Sequence, residues 1–304
     1  MERLGDRRLQ RTGRGQGRAV GRVRGAGAGQ GRNHAHLYRP LPVAGGHPPV
    51  SPHDLVESRR HGDIVELQLA RAPVNALNPA LCGALHGAIA AAVASQARGI
   101  VLSGGPKVFS AGLDVPHLLS LGEDKAALKA AWEAFFGAAR ALVECPVPVV
   151  AAIAGHAPAG GCVLALCCDY RVMASGPYRI GLNETRVGLV APEGIQRLMR
   201  RVVGPYRAER LLVAGEMIES EQALAFGLVD ELVGIDEVAQ RARSWLEQLL
   251  ALPTEAMLQT RVIARADMVA AMQPELIQLD RFIDAWYDAG TQRALNALVA
   301  SLRK

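Results

Sequence analysis

Two kinds of residue in the stretch 154–193, AGHAPAGGCVLALCCDYRVMASGPYRIGLNETRVGLVAPE, could do chemistry together. The first is a glycine pair, Gly160 and Gly161, placed just before the apolar run CVLALCC. A helix opening there leaves backbone N–H groups without intrahelical acceptors, and the peptide dipoles favour negative charge at that end. A second glycine loop, FSAGLD at 109–114, follows Gly112 with Leu113. If the two loops are neighbours, the Leu113 amide and the unpaired N–H groups at that helix start converge on one oxyanion, an effect worth about 3 kcal/mol per donor. Glycine loops between strands and helices are also commonly plain tight turns, and spacing alone leaves both readings open. The second kind is a lone carboxylate, Glu184, in a polar break between IGL and VGLV. Most glutamates are solvated surface groups. In an apolar context, desolvation raises a carboxyl pKa into the range useful for proton transfer. Asp114 reads as a turn or loop residue, Asp169 and Glu193 as structural, and His156 as structural or solvated.

These residues need elements to position them. Val65, Leu67 and Leu69 alternate with Glu66 and Gln68, the period of a strand with one buried face. Asn78 as N-cap and Pro79 at the first helical position predict a helix over PALCGALHGAIAAAVASQA, closed by Gly99. GIVLSG reads as a buried strand, GGPKVFSAGLDV as a loop, EDKAALKAAWEAFFGAARALVEC as a long helix and CPVPVVAAIAG as another strand. This alternation is the rhythm of an α/β fold with right-handed crossovers. From Pro192 onward the chain is mostly helical, with PEGIQRLMRRVVG, PYRAERLLVAG and SEQALAFG each stopping at glycine, and VDELV a short strand. A helical tail follows, in which Leu276, Leu279, Phe282, Ile283 and Trp286 fall at helical spacing and read as core or subunit interface before ligand contacts.

The 304 residues are 50% hydrophobic and 21% charged, ordinary for a globular protein with a sizeable core. The net charge of +5 misleads as an average: residues 1–50 carry ten Arg against Glu2 and Asp6, which leaves the remaining 254 residues at −3. Residues 1–52, rich in Gly and Arg and later in Pro, have too few apolar residues to bury and read as disordered. Three roles compete for them: a mitochondrial transit peptide, an RNA-binding Arg/Gly segment, and an extension with no function. The glycine spacing of GAGAGQG lacks a preceding strand and a following helix, so it is not a dinucleotide loop. Cys82, Cys145, Cys162, Cys167 and Cys168 form no CxxC pair and read as buried free thiols of a reducing compartment. No apolar run reaches the roughly 20 residues of a membrane span.

FSAGLDV, AGHAPAGGCVLALCCDYRV, YRIGLNETRVGLVAP and ERLLVAGEMIESEQALAFGLVDELV resemble the enoyl-CoA hydratase/isomerase (crotonase) superfamily. Within it, PVNALN, the PAGGC loop and IGLNET are most similar to the mitochondrial Δ3,Δ2-enoyl-CoA isomerases. The likeness runs over about residues 60–304. It implies an α/β fold, a crotonase-like spiral of ββα turns at 53–203 holding the active site, and a mainly helical region at 204–304 used in oligomerisation, after the disordered tail. It implies an acyl-CoA thioester substrate, with the backbone N–H groups of Leu113 and Gly160 as oxyanion hole. Ala111, Gly112, Leu113, Asp114, Val115 and Gly160 would line the CoA path. Glu184 would be the catalytic residue. Where hydratases of the superfamily place a first glutamate, this chain has Val163, which transfers no proton. The resemblance therefore implies isomerisation of 3-enoyl-CoA to trans-2-enoyl-CoA in oxidation of unsaturated fatty acids. No metal or redox cofactor is expected, CoA being part of the substrate. Homotrimers or dimers of trimers are expected, with no nucleic-acid partner, and a cytoplasmic location, or the mitochondrial matrix if the basic tail is a transit peptide. Hydration or another crotonase reaction is the alternative in the same fold, and RNA binding through the tail the alternative of another class.

Overall fold

The structure, a computed structural model, describes residues 55–302. The expectations for residues 1–52, disorder, transit peptide and RNA binding, lie outside the described residues.

The chain is built from repeated strand–strand–helix turns. The first comprises β1 (Val56–His61), β2 (Ile64–Leu69) and α1 (Pro79–Ala94). The second has β3 (Gly99–Ser103), β4 (Lys107–Val108), α2 (Val115–Ser120) and α3 (Lys125–Val143); the third has β5 (Val149–Ile153), β6 (Gly155–Pro158) and α4 (Gly160–Leu166). The fourth has β7 (Tyr170–Ala174), β8 (Arg179–Gly181), a 3-10 turn at Glu184–Val187, α5 (Glu193–Val203) and α6 (Pro205–Ala214). β9 (Ile218–Glu219), α7 (Ser220–Phe226) and β10 (Glu231–Val233) complete the sheets. The remainder is helical: α8 (Val238–Leu250), α9 (Thr254–Ala264), α10 (Ala266–Ala271), α11 (Pro274–Ile277), α12 (Leu279–Trp286) and α13 (Ala289–Leu302).

Both strands of the first turn lie in a six-stranded sheet, ordered β1-β2-β3-β5-β7-β10, and each later turn donates one strand to it and one to a second sheet, ordered β4-β6-β8-β9. The pairs β2–β3, β3–β5, β5–β7 and β7–β10 are parallel, so successive turns stack in the same direction as the expected ββα spiral. The second sheet positions the chemistry. β4 pairs β6 in parallel (Val108 opposite His156), and β6 pairs β8 in parallel (Pro158 opposite Gly181). Parallel neighbours run out at the same end, so the residues after β4, β6 and β8, which include Leu113, Gly160 and Glu184, are delivered to one place.

The strand period is visible in how the first sheet is covered. Val65, Leu67, Ile100, Leu102, Ala151 and Ile153 face the main core, whereas Ile64, Val101, Val150, Ala152 and Val172 face a second core under Val238, Ala242 and Leu246 of α8. β2 is therefore covered on both sides, against the expectation of one buried face. Glu66 is buried because Ser103 Oγ donates to it at 2.8 Å and Arg243 Nη1 at 2.9 Å. The α1 start follows the sequence: Asn78 Oδ1 accepts the Leu81 N–H at 2.9 Å, and Pro79 opens the helix. Its end does not. The helix stops at Ala94, Gln96 takes the left-handed φ of 60°, and Gly99 is already the first residue of β3. α5, α6 and α7 do stop at glycines, namely Gly204, Gly215 and Gly227. The tail is not one long helix after Pro274, because Gln278 at φ 47° separates α11 from α12.

A buried ion cluster fastens the tail to the core. Asp169 accepts from Arg261 Nε at 2.8 Å, lies 3.0 Å from Arg265 Nη1, and accepts the Val149 N–H at 2.8 Å. Removing the carboxylate strands two guanidiniums in a desolvated site, so Asp169→Ala is expected to cost about 3–5 kcal/mol in chemical denaturation. Asn78→Ala, which removes only a cap, is expected to cost about 1 kcal/mol in the same measurement.

Candidate active site

The site is built where two turns of the spiral touch through their backbones. A Cβ added to Gly112 would lie 3.0 Å from Pro158 O and 3.1 Å from Gly160 N; one added to Gly160 would lie 3.0 Å from the Leu77 side chain and 3.3 Å from Gly112 Cα. Gly112 also has a φ of 80°, in the left-handed region that favours glycine. Side chains at these positions would wedge the loops apart. Their absence lets the backbone just before Leu113 pass against the start of α4 at Gly160. Leu77 hydrogen-bonds the residues on either side of Leu113, donating to Gly112 O at 2.8 Å and accepting from Asp114 N–H at 3.1 Å. Gly160 is the first residue of α4, whose cap, Ala159, supplies no side-chain acceptor. Among the hydrogen bonds of the described residues, neither the Leu113 nor the Gly160 N–H is taken.

Both residues border a cavity of about 530 Å³. Ala111, Asp114, Val115, Val163 and Glu184 border it as well, whereas Gly112 lies behind the wall and acts through the contact just described. The lining is almost wholly apolar. Trp132, Phe135 and Phe136 from α3, Phe282 and Trp286 from α12, and Leu295 and Leu298 from α13 make its far side, with Trp132 and Phe282 packed edge to face at 4.4 Å. Phe282 and Trp286, expected as core or interface, are therefore cavity wall too. The sequence carried no sign of this, because aromatic residues at helical spacing pack the same way against a core and against an empty pocket. Arg71 and Asn183 also border the cavity and were not anticipated.

Two carboxylates reach this space, and their surroundings separate them. Asp114 Oδ1 accepts the His117 N–H at 3.0 Å and caps α2, a helix not anticipated in the loop; Oδ2 accepts from Arg71 Nη2 at 2.7 Å. Both oxygens are engaged in holding structure. Glu184 sits half-buried at the start of the 3-10 turn with no cation paired to it among the described residues. Desolvation by the surrounding apolar walls pushes its carboxyl pKa up to about 7, opposed only by its own backbone N–H. Val163, 2% exposed, stands on the same cavity and offers no proton.

The remaining sequence candidates are structural. His156 Nδ1 accepts the Arg179 N–H at 3.1 Å, and its ring meets Tyr178 edge-on. Glu193 pairs with Arg197 one helical turn on. All five cysteines are buried and free, and burial pushes the Cys82 thiol up to about 12.

The arrangement can hold a developing oxyanion on two amides beside a carboxyl group that gains and loses a proton near neutral pH. Known proteins share this fold. The described fold resembles human mitochondrial Δ3-Δ2-enoyl-CoA isomerase, with a TM-score of 0.77 and 29% identity over 82% of this chain and 98% of that one. Mouse mitochondrial enoyl-CoA delta isomerase 1 is 40% identical over 170 residues, 55% of this chain; the match spans 58% of that relative's length. A probable enoyl-CoA hydratase of Mycolicibacterium paratuberculosis is 31% identical over 236 residues, covering 73% of this chain and 89% of its own. The enoyl-CoA hydratase/isomerase family model matches residues 59–285, and the chain belongs to that family.

Proposed function

We propose that the protein is a Δ3,Δ2-enoyl-CoA isomerase. The observation that carries this reading is the solitary Glu184: one carboxylate near neutral pKa on an apolar cavity where the neighbouring wall residue is Val163 and the second carboxylate, Asp114, is tied up by Arg71 and a helix cap. Activating water and protonating carbon calls for two proton-transfer groups, whereas a 1,3-proton shift calls for one. Ionised Glu184 takes a proton from C2 of a 3-enoyl thioester, and the electrons spread through C3=C4 and the thioester carbonyl to give a dienolate. The Leu113 and Gly160 amides hold the oxygen as charge develops on it. Glu184 then returns the proton at C4, leaving the C2=C3 double bond of trans-2-enoyl-CoA. The apolar walls accept the acyl chain and exclude the water that hydration would consume. CoA serves as the handle, and no metal or redox cofactor enters the reaction.

The reading extends to assembly and place as the family resemblance implies them: a homotrimer, or a dimer of trimers, acting on unsaturated fatty acids in the cytoplasm, or in the matrix if residues 1–52 act as a transit peptide. Light scattering of the purified chain is expected to give the mass of three or six subunits, and N-terminal sequencing of native protein is expected to decide the compartment by showing whether those residues are removed.

Glu184→Gln is expected to bind acyl-CoA as wild type does while kcat for 3-enoyl-CoA falls by about 10³-fold or more. A variant that turns over near the wild-type rate would place the base elsewhere. The wild-type kcat/KM is expected to rise with pH through about 7, because the abstracting form is the carboxylate. The same group makes the opposite mark on stability. Its pKa rises from an ordinary 4.5 in the unfolded chain to about 7 in the folded one, so the fold loses stability as pH climbs through that interval, and the full penalty of this one group applies above it. Glu184→Gln is therefore expected to be more stable than wild type at pH 8, by on the order of 3 kcal/mol, and equal to it near pH 4.

A further inference from the structure

The Leu113 amide belongs to a segment, Ala111–Asp114, without regular secondary structure of its own. Backbone bonds hold this segment to another loop: Ala111 N–H donates to Val74 O at 2.9 Å, and Leu77 bonds Gly112 and Asp114 as described. Ser110 ties the near side of this segment, its Oγ donating to Asn75 O at 2.8 Å and accepting the Gly112 N–H at 3.2 Å, which leaves the side toward Asp114 to a further restraint. Arg71 supplies one. Its Nη1 donates to Ala76 O at 2.8 Å and its Nη2 to Asp114 Oδ2 at 2.7 Å. One planar guanidinium thus grips the residue before Leu77 and the residue after Leu113, at both sides of the bridge that flanks the amide. Through Asp114 Oδ1 the restraint continues into the first turn of α2, an element packed into the core by Leu118. Asp114 is 8% exposed, and its partner's side chain is 28% exposed. Charge-assisted bonds so placed are short and directional.

We infer that Arg71 is a positioning residue, whose simultaneous hold on the Ala76 carbonyl and the Asp114 carboxylate aims the Leu113 N–H at the thioester oxygen. The inference rests on the proposed role of the Leu113 amide. It assigns Arg71 no contact with the reacting atoms. Because Arg71 and Asp114 neutralise each other, geometry and not net charge is what the pair contributes. Lysine keeps the charge but cannot present two donors in a fixed fork. Arg71→Lys therefore separates the two effects.

The test measures the infrared C=O stretch of hexanoyl-CoA, which cannot be isomerised, bound to wild type, Arg71→Lys and Arg71→Met, with kcat and KM for 3-hexenoyl-CoA alongside. Bound to wild type, the carbonyl is expected to shift to lower frequency than in solution. In both variants that shift is expected to shrink, and kcat to fall about 10- to 100-fold with KM within about threefold of wild type. Asp114→Asn, which retains a helix cap but loses the ion pair, is expected to move the carbonyl in the same direction. A full wild-type shift in both Arg71 variants would overturn the positioning role while leaving the oxyanion reading intact. So would a full shift in Arg71→Lys alone, because charge would then suffice. An unshifted carbonyl in wild type would overturn the oxyanion reading and the Arg71 inference together. If Arg71→Met does not fold, Arg71→Lys decides.

Discussion

The site depends on a close approach between two stretches of backbone. Gly112 and Gly160 come within van der Waals contact because neither carries a Cβ, and the proposed pairing of the Leu113 and Gly160 amides rests on that contact. The rest of the architecture can be understood as what makes the approach repeatable. Parallel pairing of β4 with β6, and of β6 with β8, sends three successive turns out at one end of the second sheet. The first sheet, covered by α1 on one side and α8 on the other, keeps those turns in register. A protein core resists sliding by fractions of an ångström, and donors aimed at a transition state need that stiffness.

The second physical feature is a carboxyl group kept where it is poorly solvated. An isolated carboxylate in apolar surroundings is costly, and the cost appears as the raised pKa of Glu184. The fold carries this local penalty against a large apolar core of strands and helices and against well-paired charges elsewhere, such as Asp169 between Arg261 and Arg265. Asp114 shows the contrast within one cavity: the same functional group, given an arginine and a backbone N–H, becomes a strut. Which carboxylate is left unpaired is thus set by its surroundings and not by residue type.

Much of this was legible in the sequence. The Asn78–Pro79 helix start, the long α3, the glycine pair opening α4 and the glycine stops of α5, α6 and α7 are local signals, and local signals survive folding. The glycine loops and Glu184 were visible as chemistry by residue type, although convergence of the loops required the sheet to bring them together. What could not be read was non-local. Burial of Glu66 depends on Ser103 and Arg243, the latter 177 residues away. The aromatic wall joins α3 to α12 across about half the chain, and Phe282 and Trp286 have the same helical spacing whether they face a core or a cavity. The Arg71 clasp spans 43 residues to Asp114, and a single arginine before a proline loop announces no partner. The break at Gln278 was missed because a left-handed glutamine leaves no compositional mark.

The central claim is that a single half-buried, poorly solvated carboxylate moves a proton between carbons and leaves water out. Its most direct test gives the purified protein 3-hexenoyl-CoA and trans-2-hexenoyl-CoA in parallel and identifies the products. The account predicts rapid conversion of the first to the conjugated thioester and little or no 3-hydroxyhexanoyl-CoA from the second. Fast addition of water to the second substrate, with the first left unchanged, would contradict it.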